Sequence, residues 1–247
     1  MKTDADYEKT EEIMNTAILL SGGIGTRAGL KIPKQYIKIN GRMIISYPMQ
    51  TILCCRQISR LQIVAAEQWR SAIQEEMERF AAKGLVMPYD FSDPGETRQL
   101  SIYHALTDLR DIIKDDDFVL IHDAARPFVS DDLLNNTLNA AKEHDGAIPV
   151  LPATDTMYRS IDGRTLNGCI PREQIYAGQA PEAFRFGPYL RANEALLPDQ
   201  IRKINGSTEP ALMAGLDMAI LPGEPSNFKV TVAEDMDRVR QVIMNAF

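Results

Sequence analysis

The sequence is poor in cysteine, has a single tryptophan and contains no apolar run of membrane-spanning length. Its three cysteines, Cys54, Cys55 and Cys169, include an adjacent pair but no C-x-x-C spacing. That excludes a zinc finger and leaves no even disulfide framework. Without 18 consecutive apolar residues no transmembrane helix is expected. The start, residues 1–12, is polar and mostly acidic, the opposite of a signal peptide. Positive charge is in deficit too: 27 Lys and Arg against 34 Asp and Glu leave a net charge of −7. A generally basic nucleic-acid surface is therefore excluded, although a local basic patch is not. A soluble, cytoplasmic protein with no nucleic-acid or membrane partner is expected.

What is present is an ordinary globular composition, 45% apolar and 25% charged over 247 residues. A chain of that length buries roughly 70–75% of its unfolded surface and needs no covalent staple. After a polar leader at 1–14, residues 15–247 read as one domain. Apolar runs of strand length, at 17–20, 61–66, 85–87, 118–121 and 147–151, alternate with segments of helical spacing at 43–56, 67–83, 97–110 and 131–144. This rhythm predicts an α/β fold, a mostly parallel sheet with helices on both faces. It breaks at about 152–181, a polar stretch that carries Gly163, Gly168, Pro171 and Gly178 between its bounding prolines and has no helical period, which reads as a strand-rich arm leaving the core. Beyond the arm a helix is expected at 209–216, strands at 218–221 and 228–230, and a helix from 233.

Ligands of an open parallel sheet sit beyond the carboxyl ends of its strands, and three features fall there. The first, Ser21-Gly22-Gly23-Ile24-Gly25-Thr26-Arg27, directly follows the first strand. Its glycines let backbone N–H groups approach a phosphate, which Arg27 can neutralise; an ordinary glycine turn is the plain alternative. A Walker loop is excluded because Gly-Lys-Ser/Thr is absent. A dinucleotide fingerprint fails because Pro33 interrupts the required helix and 43–53 supplies no acid. The second feature, Lys31-Ile32-Pro33-Lys34-Gln35, concentrates positive charge behind that loop, as a phosphate-rich ligand or simply a solvated loop would have it. The third is His122-Asp123-Ala124-Ala125-Arg126-Pro127. A carboxylate at a strand's end, facing a phosphate loop, is placed to hold Mg²⁺, or else to pair with Arg126. His122 reads as structural.

Together with Gly95-Glu96-Thr97-Arg98, Ser101 and Asn227-Phe228-Lys229-Val230-Thr231, these motifs resemble, in order and from about residue 16 to the C-terminus, one family. It is that of the CTP-dependent cytidylyltransferases acting on 2-C-methylerythritol 4-phosphate and on ribitol 5-phosphate. The resemblance implies a Rossmann-like nucleotidyltransferase (GT-A-like) fold and a homodimer clasped by the arm. It implies a reaction in which the acceptor phosphate attacks the α-phosphorus of CTP and pyrophosphate leaves. By the same resemblance Arg27, Lys34 and Lys229 stabilise the transition state and Asp123 holds Mg²⁺ or another divalent cation. Ser21, Gly22, Gly23, Gly25, Gly95, Arg98 and Ser101 would take the nucleotide, and Arg126, Asp155, Thr156 and Arg172 the polyol phosphate, some across the dimer.

Three departures from the family pattern stand out: Ala180 in place of a threonine beside the acceptor, Ser207-Thr208-Glu209-Pro210 in place of a Thr-Asp pattern, and Pro94 before Gly95. The doubled glycine and Tyr176-Ala177-Gly178-Gln179 lean toward the ribitol 5-phosphate branch, while His-Asp-Ala-Ala-Arg-Pro is shared with methylerythritol enzymes. Another nucleotide-sugar pyrophosphorylase, or a relative that binds nucleotide without catalysis, are the alternatives.

Overall fold

Alternation of short apolar runs with amphipathic segments sets the order of elements in the computed structural model of the protein, which describes residues 13–23 and 32–245. Strand β1 (Asn15–Leu20) comes first. From residue 32 the order is a 3-10 turn (Lys34–Tyr36), the hairpin β2 (Lys38–Ile39) and β3 (Arg42–Met43), α1 (Ser46–Cys54), β4 (Arg60–Val64), α2 (Glu67–Ala81) and β5 (Tyr89–Ser92). Then come α3 (Arg98–Leu109), β6 (Phe118–Asp123), α4 (Asp131–Lys142), β7 (Gly146–Pro152), β8 (Met157–Arg159), β9 (Gly168–Ile170), β10 (Tyr176–Gly178) and β11 (Glu182–Arg185). The chain ends with α5 (Phe186–Glu194), α6 (Glu209–Met213), β12 (Met218–Pro222) and α7 (Ala233–Asn245).

One mixed sheet runs β7–β11–β6–β1–β4–β5, with β10 and β12 also paired to β7. The pairs β6–β1, β1–β4, β4–β5 and β12–β7 are parallel; β11 lies antiparallel between β6 and β7. Because side chains alternate across a strand, neighbouring residues feed two separate cores. Ala17, Leu19, Leu61, Ile63 and Leu120 pack with Met49, Ile52, Ile73, Phe80 and Leu134 of α1, α2 and α4. Ile18, Val64, Val119 and Ile121 pack with Ile102, Leu106, Leu109 and Tyr189 of α3 and α5. Each such Leu or Ile contributes about 1.5–3 kcal/mol by leaving water, so both sheet faces must be covered. A third cluster, Ile39, Ile44, Val230, Met236, Val239 and Ile243, fastens α7 to the β2–β3 hairpin.

The expected parallel α/β architecture is present, with local differences. The strand expected at 85–87 lies instead at β5. Gly84 has φ +82° and the Leu85 N–H is spent on the Phe80 carbonyl (3.1 Å), closing α2 before any ladder can begin. Residues 228–230 form no strand: the Val230 N–H reaches only the Ala125 carbonyl, at 2.8 Å. The helix expected at 43–56 starts at Ser46, because Arg42 and Met43 pair with β2. The arm contains the exposed hairpin β8–β9, but β10, inside the interval read as arm, belongs to the main sheet. The strand β11 and helix α5 were not foreseen from the sequence.

Candidate active site

The carboxyl ends of β1, β4, β5 and β6 converge on one edge of the sheet, and the sequence motifs lie there. Ser21 anchors the start of the glycine loop. Its N–H and its Oγ both donate to the Val64 carbonyl, at 2.9 and 2.7 Å. Gln35 straps the loop from the other side, its Nε2 donating to the carbonyls of Ser21 (2.6 Å) and Gly23 (2.7 Å), while the Tyr36 hydroxyl donates to the Ser21 carbonyl (3.0 Å). Gly22 is required sterically: a Cβ there would lie 2.4 Å from the Pro94 Cβ, so the departure at Pro94 closes against this glycine. Gly25 and Arg27 lie outside the described residues.

Gly95 opens the turn into α3. A Cβ there would come within 2.4 Å of the Leu100 side chain and 2.7 Å of its backbone, and only glycine fits. Its N–H donates to the Ser101 Oγ (3.0 Å), which in turn donates to the Thr97 carbonyl (3.0 Å). Thr97 caps the helix by accepting from the Leu100 N–H at 3.2 Å, the preferred chemistry of a helix start. Gly95, Ser101 and Thr97 thus hold Arg98, the first residue of α3, at the sheet edge.

Asp123 ends β6 and is buried, yet three cations converge on it. Arg98 Nε lies 3.2 Å from Oδ1; Lys229 Nζ lies 3.0 Å and Arg126 Nε 3.4 Å from Oδ2. Burial raises the Asp123 carboxyl, but Arg98, Lys229 and Arg126 outweigh it and hold the group well below the usual carboxylate range. Asp123 is therefore an anion. Arg126 also donates to the Asn227 carbonyl (2.8 Å), and Asn227 donates through Nδ2 to the Ala180 carbonyl (2.7 Å). These bonds tie together three segments distant in sequence. The plain alternative, a pairing of Asp123 with Arg126, is realised too, as one part of a larger cluster. His122 is fully buried and its Nε2 lies 3.1 Å from the Arg126 carbonyl, an acceptor, so the ring proton sits on Nε2. Burial drives its pKa down to about 4. His122 is structural, as its type and place suggested.

Lys34 lies in the 3-10 turn, and its charge helps hold the Asp235 carboxyl below its ordinary value, after burial, which opposes, and the N–H groups of Val232 and Thr231. Asp155, Thr156 and Arg172 lie exposed on the arm. Arg172 donates to the Thr154 carbonyl at 3.1 Å. Among the described residues no hydrogen bond or ion pair joins these three to the Asp123 cluster within one chain. Sequence reasoning overlooked Glu182, a buried acid that faces Arg98, and Gln35, Ser207 and Asn227 as structural partners. The only sequence signal for Glu182 is an acid inside the otherwise apolar Ala180-Pro181-Glu182-Ala183-Phe184.

A divalent cation finds no ready-made cage: among the described residues no three His, Cys, Asp or Glu side chains cluster. The other mode, in which one carboxylate and the phosphates of a ligand share a hard cation that keeps its waters, would rest on Asp123, whose oxygens here face Arg98, Lys229 and Arg126. No helix of the described residues is long and apolar enough to cross a membrane.

Comparisons with known proteins show the family. The sequence profile of the family IspD, 2-C-methyl-D-erythritol 4-phosphate cytidylyltransferase, matches residues 15–245. A 2-C-methyl-D-erythritol 4-phosphate cytidylyltransferase of Thermotoga neapolitana is 33% identical over 93% of this chain and 96% of its own length. A bifunctional IspD/IspF enzyme of Maricaulis maris is 31% identical over 93% of this chain, which spans 57% of that larger protein. Among solved structures, the 4-diphosphocytidyl-2C-methyl-D-erythritol synthase of Anaerococcus prevotii superposes with a TM-score of 0.80 at 22% identity, covering 94% of this chain and 96% of that one. The Francisella tularensis 2-C-methyl-D-erythritol 4-phosphate cytidylyltransferase gives a TM-score of 0.76 at 23% identity, over 92% and 99%. At these identities the two structures speak for the fold.

Proposed function

This chain belongs to the 2-C-methyl-D-erythritol 4-phosphate cytidylyltransferase family and is a nucleotidyltransferase; from that premise we propose that it transfers CMP from CTP to 2-C-methyl-D-erythritol 4-phosphate. The observation that carries the reading is the ionised, buried Asp123 among three cations, on the same sheet edge as the glycine loop and the Gly95 turn. An oxygen of the acceptor phosphate attacks the α-phosphorus; that P–O bond forms as the α–β bridge breaks, and pyrophosphate leaves with the electron pair. Little covalent chemistry falls to the protein in such a transfer, so preorganised positive charge does most of the work. Arg27 and Lys34 serve the triphosphate, and Lys229 acts from the opposite side. Ser21, Gly22, Gly23, Gly25, Gly95, Arg98 and Ser101 form the nucleotide side.

Mg²⁺ fits this reading. Asp123 would hold it together with triphosphate oxygens, and bound there it would neutralise phosphate charge. Arg126 belongs to the acceptor side. Asp155, Thr156 and Arg172 stand apart from the cluster in one chain, which supports a site completed by the arm of a second copy in a homodimer. A cytoplasmic location belongs to the same proposal.

The acceptor is decided by kcat/KM with CTP. The relatives' names support methylerythritol phosphate against the lean of residues 176–179 toward ribitol 5-phosphate. Ala180 is buried and offers no hydroxyl, so discrimination rests largely on packing and should be on the order of 10–200-fold. A higher kcat/KM for ribitol 5-phosphate would reverse the assignment.

A further inference from the structure

Arg98 spends its guanidinium on two acids, only one of which lies at the reacting centre. Nε faces Asp123 Oδ1 at 3.2 Å, while Nη1 donates to Ser207 Oγ at 2.7 Å and Nη2 lies 3.9 Å from Glu182 Oε1. The Ser207 hydroxyl passes the bond on, donating to Glu182 Oε2, which Thr208 Oγ1 also reaches at 3.3 Å. Further bonds brace the assembly. The Tyr189 hydroxyl donates to the Ser207 carbonyl (2.7 Å), and Gln99, next to Arg98, donates to Tyr189 (3.2 Å) and Asn193 (2.5 Å). Glu182, Ser207, Gln99 and Asn193 are all buried.

A buried carboxylate is costly, and an apolar side chain of similar volume would stabilise the fold as well or better. The described bonds of Glu182 run to Arg98 directly, to Arg98 through Ser207, and to Thr208. Asp123 meets Nε, while Ser207 and Glu182 meet the two Nη nitrogens, so the two acids hold different nitrogens of one guanidinium. With Glu182 made neutral, Asp123 is the one acid left, among the described residues, to orient Arg98.

We propose that Glu182 is a positioning residue that, directly and through Ser207, fixes the Arg98 guanidinium beside Asp123 and poised for the nucleotide. This rests on Arg98 serving the nucleotide side as argued above. It gives one departure from the family pattern, Ser207, a role beside β11.

The test is a double-mutant cycle in the full-length enzyme. Glu182→Gln should raise KM for CTP about 10-fold, the loss that one charge-assisted hydrogen bond entails, with KM for the acceptor unchanged and kcat within a factor of about three. In an Arg98→Lys background the same change should alter KM for CTP less than about two-fold, since the geometry it protects is gone. An equal effect in both backgrounds, or an unchanged KM in the single variant, overturns the proposal. Should Glu182→Gln fail to fold, Ser207→Ala cuts the relay with the acid retained, and wild-type KM for CTP in that variant also overturns it. Absence of turnover by the wild type would sink the proposed function instead; calorimetric CTP affinity of the same variants then reads the inference alone.

Discussion

Asp123→Asn should destabilise the protein as well as inactivate it, because this carboxylate balances charge inside the fold. Oδ1 faces Arg98, while Oδ2 faces both Lys229 and Arg126. An asparagine can keep an acceptor toward one side only, and its amide must then point N–H groups at a cation on the other. The better compromise keeps oxygen on Lys229 and Arg126 and turns the amide toward Arg98, which retains Ser207 and Glu182. Breaking a buried ion pair costs about 3–5 kcal/mol. The lower end applies here, because Arg98 and Lys229 are 29% and 35% exposed and can recruit water. About 3 kcal/mol corresponds to a fall of about 6–12 °C in Tm for a chain of this length. The assay is thermal unfolding by circular dichroism at pH 7, with and without pyrophosphate. An added polyanion should restore more Tm in the variant than in the wild type, because it replaces the missing charge. Acidification should act the same way: a folded pKa held below the unfolded value contributes stability present above about pH 4 and lost as pH falls toward the folded pKa. The variant's curve should be flatter there. A variant melting within 2 °C of wild type, with no excess gain from pyrophosphate, would refute the reasoning.

Two further outcomes follow from buried groups. His122 is neutral in the fold down to about pH 4 but takes a proton in the unfolded chain below about 6.5; stability is therefore lost as pH falls through that window, by about 3 kcal/mol. His122→Asn should flatten the Tm profile between pH 6.5 and 4, and an unchanged slope would show that His122 does not carry it. Cys54 and Cys169 are exposed, whereas burial pushes the Cys55 thiol up to about 11. At pH 8 a thiol reagent should label two cysteines quickly and the third only on unfolding; three fast thiols would contradict the packing of α1.

The sequence by itself determined most elements of the α/β core, though not β11 or α5, and the edge on which the chemistry falls. The periods of β1, α2, β6 and α4 report which face each buries, and burial of a face is a local property of the pattern. The glycines before Arg27, the turn at Gly95 and the acid ending β6 were legible for the same reason, since glycine and strand-end carboxylates act through their own backbone position. The lean of residues 176–179 toward ribitol phosphate was weaker, because these residues pair with β7 and bond the Glu224 backbone, contacts that serve the fold and carry no information on the acceptor. Only the tertiary structure decided that β11 inserts antiparallel between β6 and β7, because strand order is set by long-range packing that no local period encodes. That insertion carries Glu182 to Arg98, which lies 84 positions earlier, and sets the Ala180 carbonyl against Asn227. The cations around Asp123 come from α3, from the turn after β6 and from the segment before α7. Their charges were visible one by one, but a shared carboxylate exists only once the fold has brought all three within 3.0–3.4 Å of Asp123.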